Sequence, residues 1–228
     1  AAIDVRITGA QAFGDAVHRG ILHVLTDSAN PFTYAYTGSD INKAQQTIWT
    51  GTIALPGGGS DTIYFRTSWN GSTAGIRVVT TNTPIDFLKI TTTQSSTGTA
   101  GVPNSGAAVE SLVADVAAVD TFQSSTIYRT PELNDIKVGA GAYVFVASKD
   151  APARLNNIST QQAQSLYGVG KLPLALFTGL DSDRTTILPQ TNQPAYVYAT
   201  GRDPESGARL VTLIEAGIGG NNNVVQYK

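Results

Sequence analysis

The chain predicts an α/β protein on a mixed, mostly parallel sheet, and three observations carry that expectation. An alternating strand at 3–7 runs into a Thr8-Gly9-Ala10 break and then into a helical apolar pattern. Residues 32–66 are rich in strand formers. Glycine and hydroxyl residues stand just before several helical stretches, the strand–loop–helix order that doubly wound sheets use.

Val5 and Ile7 alternate with Asp4 and Arg6 to give the first strand. Phe13, Ala16, Val17, Ile21, Val24 and Leu25 follow at helical spacing, so a helix is expected over 12–26. Phe32 to Tyr36, Thr47 to Ile53 and Thr62 to Arg66 read as strands, with Pro56-Gly-Gly-Gly-Ser60 as a turn between two of them. Thr73 to Thr81 reads as a short helix stopped by Pro84. The stretch 91–106 is poor in apolar residues and reads as a flexible loop. Leu112 to Val119 is apolar, and Ala142 to Ala147 is expected to be a buried strand. Ser159 with Gln162 forms a capping box before a helix ended by Gly168. Ala195 to Ala199 is a strand, and Ala208 to Glu215 a helix closed by Gly217. Helices are therefore expected to start near 12, 72, 159 and 207.

Composition narrows the function classes. The 228 residues hold 15 Lys+Arg and 17 Asp+Glu, a formal charge of −2 with no basic cluster. That excludes a phosphate-backbone partner of the nucleic-acid kind. Charged residues make up 14% of the chain, against about a quarter in a typical soluble chain. No apolar run approaches the roughly 18 residues of a membrane-spanning helix. With no cysteine, thiolate metal sites and cysteine nucleophiles are excluded. The start Ala1-Ala2-Ile3-Asp4, with no methionine anywhere, reads as a mature end left by signal-peptide removal, a trimmed chain being the alternative. The expected location is periplasmic or extracellular.

Three loops share one design: Thr8-Gly9-Ala10-Gln11-Ala12-Phe13, Gly71-Ser72-Thr73 and Ser206-Gly207-Ala208. Unpaired N–H groups and the dipole at a helix start favour an anion, although Ser and Thr are also ordinary caps. Arg202, four residues before Ser206, is placed to grip such an anion with two N–H bonds or to pair with Asp203 or Glu205 at the surface.

The string Arg202-Asp203-Pro204-Glu205-Ser206-Gly207-Ala208 resembles the Arg-x-x-x-Ser-Gly-Thr loop of the periplasmic phosphate-binding proteins of ABC transporters. Thr8 to Phe13 resembles that family's first Thr-Gly-Ala loop, Gly71-Ser72-Thr73-Ala74-Gly75 its Gly-Ser-Ser-Gly-Gly loop, and Val119-Asp120 its Ser-Asp segment. The resemblance implies a type 2 periplasmic-binding-protein-like fold of two lobes, 1–147 and a partial 148–228. It also implies a phosphate-like oxyanion as ligand, no cofactor, and an ABC permease as partner. Thr8, Gly9 and the N–H groups near Ala12 and Phe13 would face the anion, with the hydroxyls of Ser72 and Ser206 and the Gly207 N–H. Arg202 would be the clamp, and Asp120 the acceptor for the proton of a protonated oxyanion. The family's hydroxyl residues at two positions are Ala12 and Ala208 here, which removes two donors.

Catalytic patterns are missing: there is no nucleophile elbow and no His-Glu-x-x-His. His18 and His23 lie five apart on one helix, a spacing that does not share a face. Asp181-Ser-Asp183 lacks the rest of a calcium loop. An enzyme is not expected. Two readings remain, a binding module for an oxyanion and a structural surface or filament subunit built on a binding-protein fold. The tail Val224-Val225-Gln226-Tyr227 looks like a strand that stops. Against the resembled family it implies either a fragment of a longer chain or an open sheet edge that another copy completes.

Overall fold

A computed structural model describes residues 2–28, 30–184, 187–188 and 193–227. The fold is mixed α/β. The chain divides into two compact units: residues 1–136 with 205–207, and residues 137–204 with 208–228.

Unit 1 is built on a six-stranded sheet. Its strands are β1 (Ile3–Gly9), β2 (Thr33–Thr37), β3 (Gln46–Ala54), β4 (Ser60–Trp69), β6 (Thr99–Val102) and β8 (Val116–Ala118). The order is β6-β2-β3-β4-β1-β8. β2 pairs with β6, and β1 with both β4 and β8, in parallel; β2–β3 and β3–β4 are antiparallel. The mostly parallel sheet expected from the sequence is present. β6 falls inside the stretch expected to be loop: Ala35 of β2 pairs with Thr99, so backbone pairing, not apolar content, makes this strand.

Helix α1 (Gly14–Asp27) follows a 3₁₀ turn at Gln11–Phe13. Its Ile21 and Leu25 pack with Trp49 and Ile63, and Ile3, Val5 and Ile7 close around them. Strand alternation turns Ile48 to the other face, where it meets Ala35 and Leu88. That face carries α2 (Ser72–Thr81) and the antiparallel pair of β5 (Ile85–Leu88) and β7 (Val109–Leu112). Asn82, in the left-handed region at φ 52°, ends α2 two residues before Pro84.

The even residues of β1 are polar, and Asp4 and Arg6 enter an ion cluster. The Arg66 guanidinium, 3% exposed, pairs with Asp4 and with Glu110 at 2.6 Å. Arg6 binds Asp115 at 2.8 and 2.9 Å, and those bonds raise its pKa.

Unit 2 holds α3 (Thr160–Val169), β9 (Lys171–Pro173), the turn α4 (Ala175–Thr178), the two-residue pair β10 (Ile187–Leu188) and β11 (Gln193–Pro194), and β12 (Tyr196–Tyr198). The helix α5 (Gly207–Glu215) contributes all but its first residue to this unit. The capping box is formed: Ser159 Oγ accepts from the Gln162 N–H, and Gln162 Oε1 accepts from the Ser159 N–H. The helix ends two residues later than expected, at Gly170 and not Gly168, because Gly170 takes the left-handed conformation and donates to Leu166 O. Leu166, Tyr167, Ala199 and Leu213 form the core of this unit. The C-terminal residues join it, with Val225 N–H on Tyr167 O and Tyr227 N–H on Ala199 O, each at 2.8 Å.

The strand expected at 142–147 does not form. The segment pairs with no strand among the described residues, and Val144 and Val146 are 78% and 87% exposed. A continuous apolar run states that a strand wants a partner; it does not supply one.

Candidate functional site

Thr8-Gly9, Gly71-Ser72, Asp120 and Glu205–Gly207 come from four distant parts of the chain, and unit 1 gathers them at the carboxyl ends of β1, β4 and β8. The Gly71 N–H donates to Gly9 O at 2.9 Å, and the Ala10 N–H donates to Ala118 O at 2.9 Å. Ser72 opens α2 and is 1% exposed. Its hydroxyl donates to Asp120 Oδ1, while the Asp120 N–H donates back to Ser72 Oγ at 3.2 Å. A carboxylate at a helix start is held favourably by the first-turn dipole.

Glu205 O accepts the N–H groups of Thr73 at 3.1 Å and Ala74 at 3.4 Å. The first turn of α2 therefore gives two of its free donors to the chain itself. Both flanking glycines are needed for this closeness. Gly71 has φ 99°, and a Cβ there would lie 2.4 Å from Glu205 O. A Cβ on Gly207 would lie 2.3 Å from Asp120 Oδ1 and 2.7 Å from Ser72 Cβ.

Three buried donors at this end of unit 1 have no partner among the described residues: Thr8 Oγ1, Thr73 Oγ1 and Trp69 Nε1. Thr8 is fully buried and Trp69 is 4% exposed. Unpaired buried polar groups are uncommon and call for a reason. Behind them lies His18, also buried, with its ring 6.1 Å from those of Trp49 and Trp69 and its Nε2 3.5 Å from Thr67 Oγ1. Burial pushes its pKa down to about 4, although Asp15 pulls the other way. It is a neutral packing residue at pH 7.

The residues expected to bind an anion thus have separate placements. Ser72, Asp120 and Gly207 are in mutual contact, Gly9 is tied to Gly71, and Ser206 is buried next to Gly207. Thr8 is one of the unpaired donors. The Phe13 N–H donates to Ala10 O at 3.0 Å within the 3₁₀ turn through which the chain enters α1. Ala12 is exposed within that turn. Arg202 belongs to unit 2, where its side chain is 71% exposed and 3.9 Å from Asp203, and its carbonyl accepts from Gln226 Nε2 at 2.8 Å.

Sequence reasoning placed Thr73 in the second loop without giving its side chain a role, and missed Trp69 and the Glu205 carbonyl. Trp69 had one legible signal, its place at the end of a strand directly before the Asn70-Gly71-Ser72 loop. The Asp181-Ser-Asp183 stretch offers no cation site, since Asp183 is 2% exposed and held by Arg154 and Thr178. Among the described residues no group of three His, Asp or Glu side chains could hold a metal ion, and no helix is long and apolar enough to cross a membrane. No family model matches the chain, and neither the curated proteins nor the solved structures contain a significant match to it.

Proposed function

We propose that the protein is an exported solute-binding module, of the type 2 periplasmic-binding-protein-like kind, that takes a phosphate-like oxyanion beside Asp120. The observation that carries this reading is the meeting of Ser72, Asp120 and Gly207 at the carboxyl ends of parallel strands, where ligands of open α/β sheets collect. Thr8 Oγ1, Thr73 Oγ1 and Trp69 Nε1 supply donors that have no other partner. An ABC permease is the partner this reading implies.

Asp120 sets the specificity. A carboxylate repels a fully deprotonated oxyanion and accepts one hydrogen bond from a protonated one. Hydrogen phosphate carries that proton at pH 7 and sulfate does not. Isothermal titration with both anions tests it: phosphate binds the natural protein more tightly than sulfate, and Asp120→Asn narrows or reverses the preference. Equal affinity for the two anions in the natural protein overturns the role given to Asp120.

A structural surface or filament subunit is the second reading. The exposed apolar run Tyr143 to Val146 favours it, as such a run suits pairing between chains.

A further inference from the structure

A cleft of about 340 Å³ opens on unit 1 where β4 ends, β3 begins and β5 begins. Its polar wall is Gln45, Gln46, Ser68, Asn70, Asp86 and Asn104, with no Lys or Arg among the lining residues. Four of these six side chains are primary amides.

The amides are held in fixed senses. Asn104 Nδ2 donates to Gln45 Oε1 at 3.1 Å, which leaves the Gln45 N–H groups for another acceptor. Asn70 Nδ2 donates to Ser68 Oγ at 3.2 Å, which leaves Asn70 Oδ1 as an acceptor and the Ser68 proton as a donor. Gln46 is 3% exposed, and its Nε2 donates to the Asp86 carbonyl at 2.6 Å. Its Oε1 is buried with no partner. Asp86 receives the Ser111 hydroxyl on one carboxylate oxygen and keeps the other.

The wall therefore mixes donors with acceptors. An oxyanion would meet a carboxylate and no cation. A hard metal ion needs oxygens alone, and here it would meet the Gln45 N–H groups. A hydroxyl both donates and accepts, so several on one ring or chain can satisfy such a wall together. We propose that this cleft is a second binding site, for a neutral polyhydroxylated compound of monosaccharide size. The site shares no residue with Ser72, Asp120 or Gly207, so it stands or falls apart from the oxyanion reading.

Ligand-observed saturation-transfer NMR on the full chain tests it with D-glucose, D-mannose and myo-inositol, each up to about 50 mM, enough to saturate a millimolar site. At least one gives a saturable signal. Asn104→Ala, which frees Gln45 from an exposed position, weakens it by about tenfold, the worth of one good hydrogen bond. Asp86→Asn weakens it too, while Ser72→Ala and added phosphate leave it unchanged. Circular dichroism confirms that the variants fold, and both altered positions are exposed. No saturable signal with any of the three compounds overturns the proposal. So does a signal that Asn104→Ala and Asp86→Asn leave intact, or one that phosphate displaces.

Discussion

The two units bury charge in opposite senses. In unit 1 the cation is inside: the Arg66 side chain is 3% exposed, while its partners Asp4 and Glu110 are 32% and 37% exposed. In unit 2 the anion is inside: the Asp183 side chain is 1% exposed and Arg154 is 43% exposed. Arg66 lies mid-strand in β4, so the sheet holds it from both sides and only a cluster of carboxylates and the Leu88 carbonyl can satisfy its donors. Asp183 sits on a single turn, where the Arg154 guanidinium and the Thr178 hydroxyl both hold it. A charge buried in a sheet recruits partners far along the sequence. The charge buried at this turn is held by a hydroxyl five residues away and a guanidinium twenty-nine away.

The largest expected effect comes from breaking the first arrangement. Arg66→Met strips Glu110 and the Leu88 carbonyl of their donor and leaves Asp4 with Arg6 alone, and the summed loss of these charge-assisted hydrogen bonds is expected to cost about 3–5 kcal/mol. Urea unfolding followed by tryptophan fluorescence reads it, because both tryptophans, Trp49 and Trp69, lie in unit 1. Asp183→Asn strands only a half-exposed guanidinium, which water can reach, and should cost less, about 1–2 kcal/mol by circular dichroism. Equal losses for the two would erase the contrast between the units.

His18 sharpens the comparison through pH. Its pKa is lowered to about 4 in the fold from an ordinary 6.5, so between these values the unfolded chain binds more protons. Stability from this residue is fully present above pH 6.5, falls as pH drops through the window, and is lost below pH 4. The loss amounts to at most about 3 kcal/mol. The tryptophan-detected midpoint should therefore fall between pH 7 and pH 4.5, and His18→Gln should flatten that slope. A slope unchanged by the substitution would remove His18 as its cause.

The smallest effect is expected in unit 2. Val146→Thr, at a position 87% exposed, should change stability by no more than about 0.5 kcal/mol. Leu25→Ala in the core of unit 1 should cost about 2–5 kcal/mol. A large loss for Val146→Thr would mean that the exposed run is covered in solution.

This contrast also explains which parts of the fold were legible. Ile21 and Leu25 announce a helix face, and Val5 and Ile7 a strand, because each pattern is answered by the other within unit 1. The Ser159–Gln162 box was readable because its two hydrogen bonds span three residues. β6 was hidden because its pairing with β2 joins residues more than sixty apart through backbone alone. The run at 142–147 misled for the opposite reason, since its side chains are apolar and its partner is not encoded locally. At the candidate site, Ser72 and Gly207 were legible as loop residues before helices, and Asp120 through the family resemblance alone. Thr73 and Trp69 were not, since their distinction is an unpaired atom that only packing creates. The Glu205 carbonyl was equally invisible, being main chain.

The function proposed for this protein requires the Ser72–Asp120–Gly207 cluster to take an oxyanion. Calorimetric titration of the natural protein with inorganic phosphate at pH 7, repeated with Ser72→Ala, measures this most directly. One saturable site is expected, weakened at least about tenfold by Ser72→Ala, which removes the hydroxyl that donates to the Asp120 carboxylate and holds it in place. No heat with millimolar phosphate, or binding that Ser72→Ala leaves untouched, would contradict it.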